Sequence, residues 1–179
     1  MKKKFFKITS ILITTITLSI ILYNYCYDYY GVFWRKADNV FYTPNSIFVK
    51  IEHILQNKDK YDAVLFGSSR VGNIDVNKIR DGKYYNMFFF GGISYEWMKS
   101  LDVMLTNKIK INKIIIGIDE FTYKDDPFSR QNMLCTKIYP LTSHEKINFY
   151  SSYLFERPNL IDHIKRKNER AKGNTYYDF

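Results

Sequence analysis

Two adjacent serines follow an apolar segment in the first half of the chain. Residues 63–66 read Ala-Val-Leu-Phe, and Gly67, Ser68 and Ser69 come directly after them. A buried strand that ends in a Gly-Ser turn places a hydroxyl group at the carboxyl edge of a sheet, where open α/β folds keep their reactive groups. Ser69 is therefore a candidate nucleophile; the alternatives are a cap for the helix predicted after it and an anion-binding loop.

Two further predicted strands also end in residues that can take part in chemistry. Gly91 and Gly92 follow the second predicted strand, and Asp119 follows the third. Because parallel strands bring their carboxyl ends to one edge of a sheet, we expect these residues to lie near Ser69. Arg70 is a candidate for binding a carboxylate or phosphate group, and the alternative for it is an ion pair with a nearby acid such as Asp119.

A serine becomes a strong nucleophile when a neighbouring base removes its proton. The chain contains three histidines, His53, His144 and His163. His53 is predicted on an amphipathic helix in a surface or interfacial position, and His144 in the solvated first turn of a short helix. His163 follows Asp162 and is the candidate base, although adjacent residues of a helix point in different directions.

The sequence offers no pattern for a metal or a cofactor. Its two cysteines, Cys26 and Cys135, lie far apart, and no C-x-x-C pair or Cys/His cluster occurs. We therefore predict no metal site and no cofactor. A disulfide between the two cysteines has no support in the sequence, and Cys26 lacks the small preceding residues of a lipid-attachment motif.

Apolar runs and turn residues predict alternating strands and helices. The strands are expected at 63–66, 84–90 and 111–118, and the helices at 46–55, 76–80, 94–106, 143–149 and 158–171. Continuous apolar strands separated by helices are typical of a parallel sheet that helices cover on both faces. We predict an α/β domain with a flavodoxin-like three-layer α/β/α arrangement, incomplete because three strands are few for such a fold.

The N-terminal segment has the pattern of a membrane signal anchor. Four lysines within the first seven residues precede residues 8–27, which carry no charge. A helix of about 20 residues spans roughly 30 Å, the thickness of the hydrocarbon core of a bilayer. The lysines predict a cytoplasmic amino end, and the tyrosines between 23 and 30 predict an aromatic belt on the far side. Because no A-x-A-like site follows, we expect an uncleaved anchor; a cleaved signal peptide is the alternative.

The composition fits one domain of ordinary size joined to that anchor. The 179 residues are 46% hydrophobic and carry a net charge of +9. A basic balance suits contact with anionic lipid or a polyanionic envelope polymer. No zinc-finger, helix-turn-helix or basic-aromatic RNA pattern occurs, so we do not expect nucleic acid as a partner. We divide the chain into a basic stub and anchor (1–30), a connector with a helix (31–60) and the α/β domain (61–179).

Three short blocks resemble the first three blocks of the SGNH (GDSL-like) hydrolase superfamily. They are Phe-Gly-Ser-Ser at 66–69, the segment 86–92 that ends in two glycines, and Ile-Gly-Ile-Asp at 116–119. The resemblance covers about residues 61–125. More narrowly, it is to the membrane-anchored extracytoplasmic members that accompany O-acetylation and D-alanylation of envelope polymers.

This resemblance implies a role for each matching residue. Ser69 matches the nucleophile, with Ser68 in the place of the family's Asp. Gly92, or Gly91, matches the glycine whose backbone N–H helps to form the oxyanion hole. Asp119 stands where the family has an Asn that donates a side-chain N–H, whereas an ionised carboxylate accepts hydrogen bonds.

The family's last block, Asp-x-x-His, is not found: no histidine of the chain has an Asp three residues before it. We therefore expect a chain that stops before that block. The resemblance implies a protein linked to acyl ester transfer or hydrolysis on cell-surface polysaccharide, with the cytoplasmic membrane, the polymer or a membrane acyltransferase as partners. The alternative is a non-catalytic anchored accessory protein; a nucleotide-binding module is disfavoured because no G-x-G-x-x-G or Walker spacing occurs.

Overall fold

The computed structural model describes residues 2–34, 44–120, 122–123 and 126–157. The chain forms two compact units, one of Met1–Pro44 with His144–Phe179 and one of Asn45–Ser143. The helices are α1 (Lys2–Tyr27), α2 (Ser46–Gln56), α3 (Ser94–Thr106), α4 (Pro127–Gln131) and α5 (Ser143–Leu154). The strands are β1 (Ala63–Gly67), β2 (Tyr84–Phe88) and β3 (Lys113–Ile116).

The N-terminal helix is long and apolar enough to cross a membrane. α1 has 26 residues, and its most apolar stretch has a mean hydropathy of 2.0 with no residue buried inside the protein. The helix predicted over 8–27 is thus confirmed, and it begins further upstream, at Lys2. Near its carboxyl end, Asn24 Nδ2 donates hydrogen bonds to the carbonyl oxygens of Leu154 and Glu156, both at 2.8 Å, within the same unit.

The unit Asn45–Ser143 contains a three-stranded sheet in the order β2-β1-β3. Both pairings are parallel, with Ala63 opposite Tyr84 in one and opposite Lys113 in the other. The predicted α/β class with a parallel sheet is thus confirmed. β1 is buried along its whole length, as its apolar sequence and its central position require.

Two helices cover one face of this sheet. Apolar residues of α2, β1, β2 and α3 form one buried cluster, which includes Ile47, Ile51, Ile54, Val64, Phe66, Met87, Trp97, Val103 and Met104. The start of α2 is fixed by Asn45, whose side-chain oxygen accepts a hydrogen bond from Phe48 N–H at 3.0 Å. Asparagine is favoured at this position because it satisfies a backbone donor that the helix leaves unpaired.

The third strand departs from the prediction that all strands are covered on both faces. Ile114, Ile115 and Ile116 of β3 are 42%, 39% and 50% exposed. β3 lies at the edge of the sheet, and within the described part of the chain no strand pairs with its outer side. An apolar run therefore predicts the strand but not how much of it is covered.

Two segments take other forms than predicted. In place of the helix over 76–80, the structure has a 3-10 turn at Val76–Lys78, and a second 3-10 turn, Ser69–Val71, directly follows β1 and Ser68. The side chains of Ser68 and Asp75 accept from the backbone N–H groups two residues on, which favours short turns over a helix.

The segment predicted to be irregular over 121–141 contains α4, which begins after Asp126. The Asp126 carboxylate accepts from the N–H groups of Phe128 and Ser129 at 3.2 and 3.0 Å. α5 extends to Leu154, beyond the predicted end at 149. The helix predicted over 158–171 lies outside the described residues.

Val71 packs against the end of β1, where only a glycine leaves room for it. A Cβ at Gly67 would lie 2.5 Å from Cγ2 of Val71, so a larger residue must displace the valine. We expect Gly67→Ala to destabilise the Asn45–Ser143 unit by about 1–3 kcal/mol through overpacking. Urea denaturation monitored by the fluorescence of Trp97, in a Trp34→Phe background, measures this change.

A second substitution tests whether Val71 is the cause of that loss. In a Val71→Ala background, Gly67→Ala should cost much less, because the clashing methyl groups are absent. An equal cost in both backgrounds would contradict the packing explanation.

Candidate functional site

The ends of the three strands meet at one edge of the sheet, as the parallel order predicts. Phe89 N–H, just after β2, donates to Gly67 O at 3.0 Å, and Gly117 N–H, just after β3, donates to Phe66 O at 2.8 Å. The turns that follow β2 and β3 therefore lie against the end of β1. These turns bring together the residues that the sequence singled out.

Ser68 and Asp119 form the buried part of this site. Ser68 is 4% exposed, and its hydroxyl donates a short hydrogen bond to Asp119 Oδ2. Thr122 holds the same carboxylate from the other side: its hydroxyl donates to Oδ1 at 3.3 Å and accepts from the backbone N–H of Asp119 at 3.0 Å. The carboxylate is thus aimed at a serine hydroxyl and acts as a hydrogen-bond acceptor.

Ser69 and Arg70 lie at the surface, in contrast to Ser68. Ser69 is the exposed first residue of a 3-10 turn, and its carbonyl accepts from Gly72 N–H at 3.1 Å. Among the residues that the structure describes, its hydroxyl has no hydrogen-bond partner. The exposed Arg70 has its backbone N–H 3.3 Å from Ser68 Oγ. A ligand therefore has access to the hydroxyl of Ser69 but not to that of Ser68.

Of the two glycines after β2, the geometry favours Gly91 as a backbone donor. Gly92 N–H donates to Phe89 O at 3.0 Å, so this group is already used. Gly91 has a φ of +58°, a conformation that glycine adopts without strain, and it is half-buried. No acceptor for its N–H occurs in the described ranges.

An ion pair that sequence reasoning missed lies beside these glycines. Arg130 Nε donates to Glu96 Oε1 at 2.8 Å, and Arg130 Nη2 donates to Glu96 Oε2 at 3.2 Å and to Phe90 O at 3.1 Å. The guanidinium group lies against Gly91, where a Cβ would be 3.2 Å from Nη1. Arg130 was not a candidate because the sequence predicted an irregular segment there.

Glu96 also fixes the start of α3. The next residue, Trp97, packs against Gly92. Glu96 Oε2 accepts from Ile93 N–H at 3.2 Å, as in a capping box. Trp97 Nε1 is buried without a hydrogen-bond partner in the described part of the chain. A Cβ at Gly92 would lie 3.0 Å from this nitrogen, so a larger residue at this position would crowd the indole ring.

Neither described histidine forms a hydrogen bond with Ser68 or Ser69. His53 Nε2 lies 3.0 Å from Tyr61 Oη, and its ring stacks on Tyr85 at 5.0 Å. Burial and then the charge of Lys60 lower the pKa of His53.

The other two histidines are not among the described residues of the Asn45–Ser143 unit. His144 is exposed and belongs to the other compact unit. The candidate base His163 lies outside the described residues.

A buried lysine, Lys50, also lies near the end of β2. Lys50 Nζ donates to the carbonyl oxygens of Asn86 at 3.1 Å and Phe88 at 2.9 Å, and it lies 3.5 Å from the centre of the Phe88 ring. The N–H of Phe89 points towards β1, so the carbonyl of Phe88, in the same peptide group, points the opposite way, to the outer edge of the sheet. The carbonyl of Asn86 points to the same outer edge, because carbonyls of alternate residues in a strand share a side. Burial lowers the pKa of Lys50 to about 7.

The described residues contain no group of three His, Cys, Asp or Glu side chains arranged to hold a metal ion. Both cysteines are free thiols, Cys26 exposed and Cys135 half-buried. Burial raises the pKa of Cys135.

Comparison with known proteins found no match, whether to protein-family models, to curated proteins or to solved structures. The class that the structure defines is therefore a broad one. It is a mixed α/β protein with a small parallel sheet and an N-terminal helix able to cross a membrane. Any narrower assignment depends on the site.

Proposed function

We propose that the chain is an SGNH-like protein, anchored in the cytoplasmic membrane with its α/β part outside, that transfers or hydrolyses acyl esters on cell-surface polysaccharide. One observation carries this proposal: the exposed hydroxyl of Ser69 lies next to the buried Ser68–Asp119 pair, at the carboxyl edge of a parallel sheet. Reactive groups of open α/β folds are found at that edge.

The order of the strands supports the flavodoxin-like part of the proposal. The sequence β2-β1-β3 is the beginning of the flavodoxin-like order 2-1-3-4-5. In a three-layer arrangement of that kind, further strands would pair with the outer edge of β3, and helices of the outer layers would cover the exposed side chains of Ile114 and Ile116. The lysines before the apolar stretch of α1 support a cytoplasmic amino end.

In the proposed reaction, Ser69 Oγ forms a bond to the ester carbonyl carbon, and the bond from that carbon to the alcohol oxygen breaks. The serine proton passes to a base and then to the departing alcohol. The N–H groups of Gly91 and Ser69 would stabilise the negative oxygen of the intermediate, since Gly92 N–H is already used. We propose that His163 or a partner protein supplies the base that accepts the serine proton.

A second candidate function is binding of the polymer without catalysis. The observation that favours it is that His53 pairs with Tyr61 and not with either serine, while Asp119 is held by Ser68 and Thr122. Such a chain would be a membrane-anchored accessory protein for the polymer or for a partner acyltransferase. Ester turnover separates the two functions.

Labelling with a fluorophosphonate serine probe tests the catalytic function. We expect the full chain, purified in detergent, to be labelled and Ser69→Ala to lose the label, because Ser69 presents an exposed hydroxyl at the site whereas Ser68 is buried. Ser129→Ala is the matched control, since it removes an exposed serine hydroxyl elsewhere in the same unit. Circular dichroism checks that each variant is folded.

Each outcome decides between the two candidates. A label that Ser69→Ala abolishes and Ser129→Ala leaves intact supports acyl chemistry at Ser69. A folded chain that takes up no label contradicts the catalytic proposal and leaves the accessory function.

A further inference from the structure

A cavity of about 140 Å³ lies beside the carboxyl end of α1. All the residues that line it belong to the unit of Met1–Pro44 and His144–Phe179, and the candidate serine site contributes none of them. A space of this size accommodates several water molecules or a small organic group. The cavity is therefore separate from the site of the proposed function.

Tyrosine rings dominate the lining of this cavity. The rings of Tyr23 and Tyr27 stack with centres 5.7 Å apart, those of Tyr29 and Tyr30 meet at 5.0 Å, and those of Tyr30 and Tyr153 at 5.3 Å. Each aromatic ring carries a negative electrostatic potential on its faces. Several rings around one space attract a cation, most strongly one with little hydration.

The charged side chains of the lining favour a cation as well. Asp28 and Glu156 contribute two carboxylates and Arg157 one guanidinium, so acidic groups outnumber basic ones in this lining although the whole chain has a net charge of +9. Burial raises the pKa of Asp28, and backbone N–H groups partly offset this effect. A cation in the cavity would further favour the ionised form of this carboxyl group.

Two polar side chains of the lining, Asn24 and Asp28, already form hydrogen bonds inside the protein. Asn24 Nδ2 donates to two carbonyl oxygens at 2.8 Å, as described above. The Asp28 carboxylate accepts from the N–H groups of Val32, Phe33 and Trp34 at 2.8, 2.9 and 2.6 Å. Asn24 and Asp28 therefore have little capacity left for directional hydrogen bonds to a ligand, and a quaternary cation needs none.

We propose that this cavity binds an alkylammonium group, held by the tyrosine rings and by the negative charge of Asp28 and Glu156. The ligand is either the head group of a lipid or a free amine. The position supports this chemistry, because the cavity adjoins the end of an apolar helix that is long enough to cross a membrane. Head groups lie at this depth, and tyrosines are enriched there.

Titration with tetramethylammonium chloride tests the proposal on the full chain in a maltoside detergent. Calorimetry, with sodium chloride as the ionic-strength control, should show saturable binding. Tyr29→Leu should weaken binding about tenfold because it removes an aromatic face, and Tyr29→Phe should retain it. Tyr123→Leu, which changes a tyrosine that is 72% exposed in the other unit, is the matched control.

Competition by vesicles then identifies the source of the alkylammonium group. Competition against tetramethylammonium by vesicles of phosphatidylcholine, but not of phosphatidylglycerol, would assign the site to a lipid head group; binding without such competition would assign it to a free amine. A folded chain that gives the same response to tetramethylammonium and to sodium overturns the proposal. So does equal weakening by Tyr29→Leu and Tyr123→Leu.

Discussion

Replacing Arg130 by methionine is expected to destabilise the Asn45–Ser143 unit by about 3–5 kcal/mol. The side chain of Glu96 is 0% exposed and that of Arg130 9%, so the substitution leaves a carboxylate buried without its cation. The same change removes a hydrogen bond to Phe90 O beside the candidate oxyanion donor Gly91. Urea denaturation followed through Trp97, in a Trp34→Phe background, measures the free energy of unfolding.

Two further variants establish that the buried charge is the cause. Arg80→Met replaces an exposed arginine of the same unit and should change stability by less than about 0.5 kcal/mol. In the double variant Arg130→Met/Glu96→Gln, a neutral amide replaces the carboxylate, so the loss should be clearly smaller than the sum of the two single losses. Additive losses would contradict direct coupling between the two side chains.

The site residues that could be predicted from the sequence are those that strands position. Apolar runs followed by Gly67, by Gly91 and by Asp119 correctly predicted three parallel strands. The strand ends differ slightly from the prediction, because β1 extends one residue further while β2 and β3 each end two residues earlier. Parallel pairing then dictates that these ends share one edge. Residues at strand ends are predictable because the element that carries them has a strong pattern.

Contacts made by turns were not predictable in the same way. Thr122 and Arg130 reach the site from the segment between β3 and α5, where no hydrophobic period fixes the backbone. The partner of Asp119 also depends on the 3-10 turn after β1, which keeps Ser68 buried and Ser69 exposed. Such turns are set by single side-chain hydrogen bonds, which sequence patterns indicate only weakly.

Lys50 is a case where the sequence did hold a signal. It lies three residues after Ile47 and four before Ile54, so helical spacing places it on the apolar face of α2. A lysine on that face must bury its charge or find acceptors. The structure shows both, because Lys50 is 6% exposed and donates to two carbonyl oxygens at the outer edge of β2.

This lysine should make the stability of the Asn45–Ser143 unit depend on pH. Its pKa is lowered to about 7 in the folded protein from 10.5, so between these values the unfolded chain binds more protons than the folded one. Stability must then rise with pH across this window, by about 3 kcal/mol between about pH 7 and pH 9.5. Below the folded pKa both states are protonated, and the dependence ends.

Lys50→Met isolates this contribution, because the thioether keeps the volume of the side chain and cannot titrate. The variant should lose the rise in stability that the wild-type chain shows above pH 7, while Lys110→Met, at an exposed position, should keep it. The comparison has to stay below about pH 10, where unfolded tyrosines ionise, since burial raises the pKa of Tyr85 and adds an opposite trend. Equal pH profiles for the wild-type chain and Lys50→Met would mean that Lys50 stays fully protonated in the folded state, its charge satisfied by the two carbonyl oxygens and the Phe88 ring.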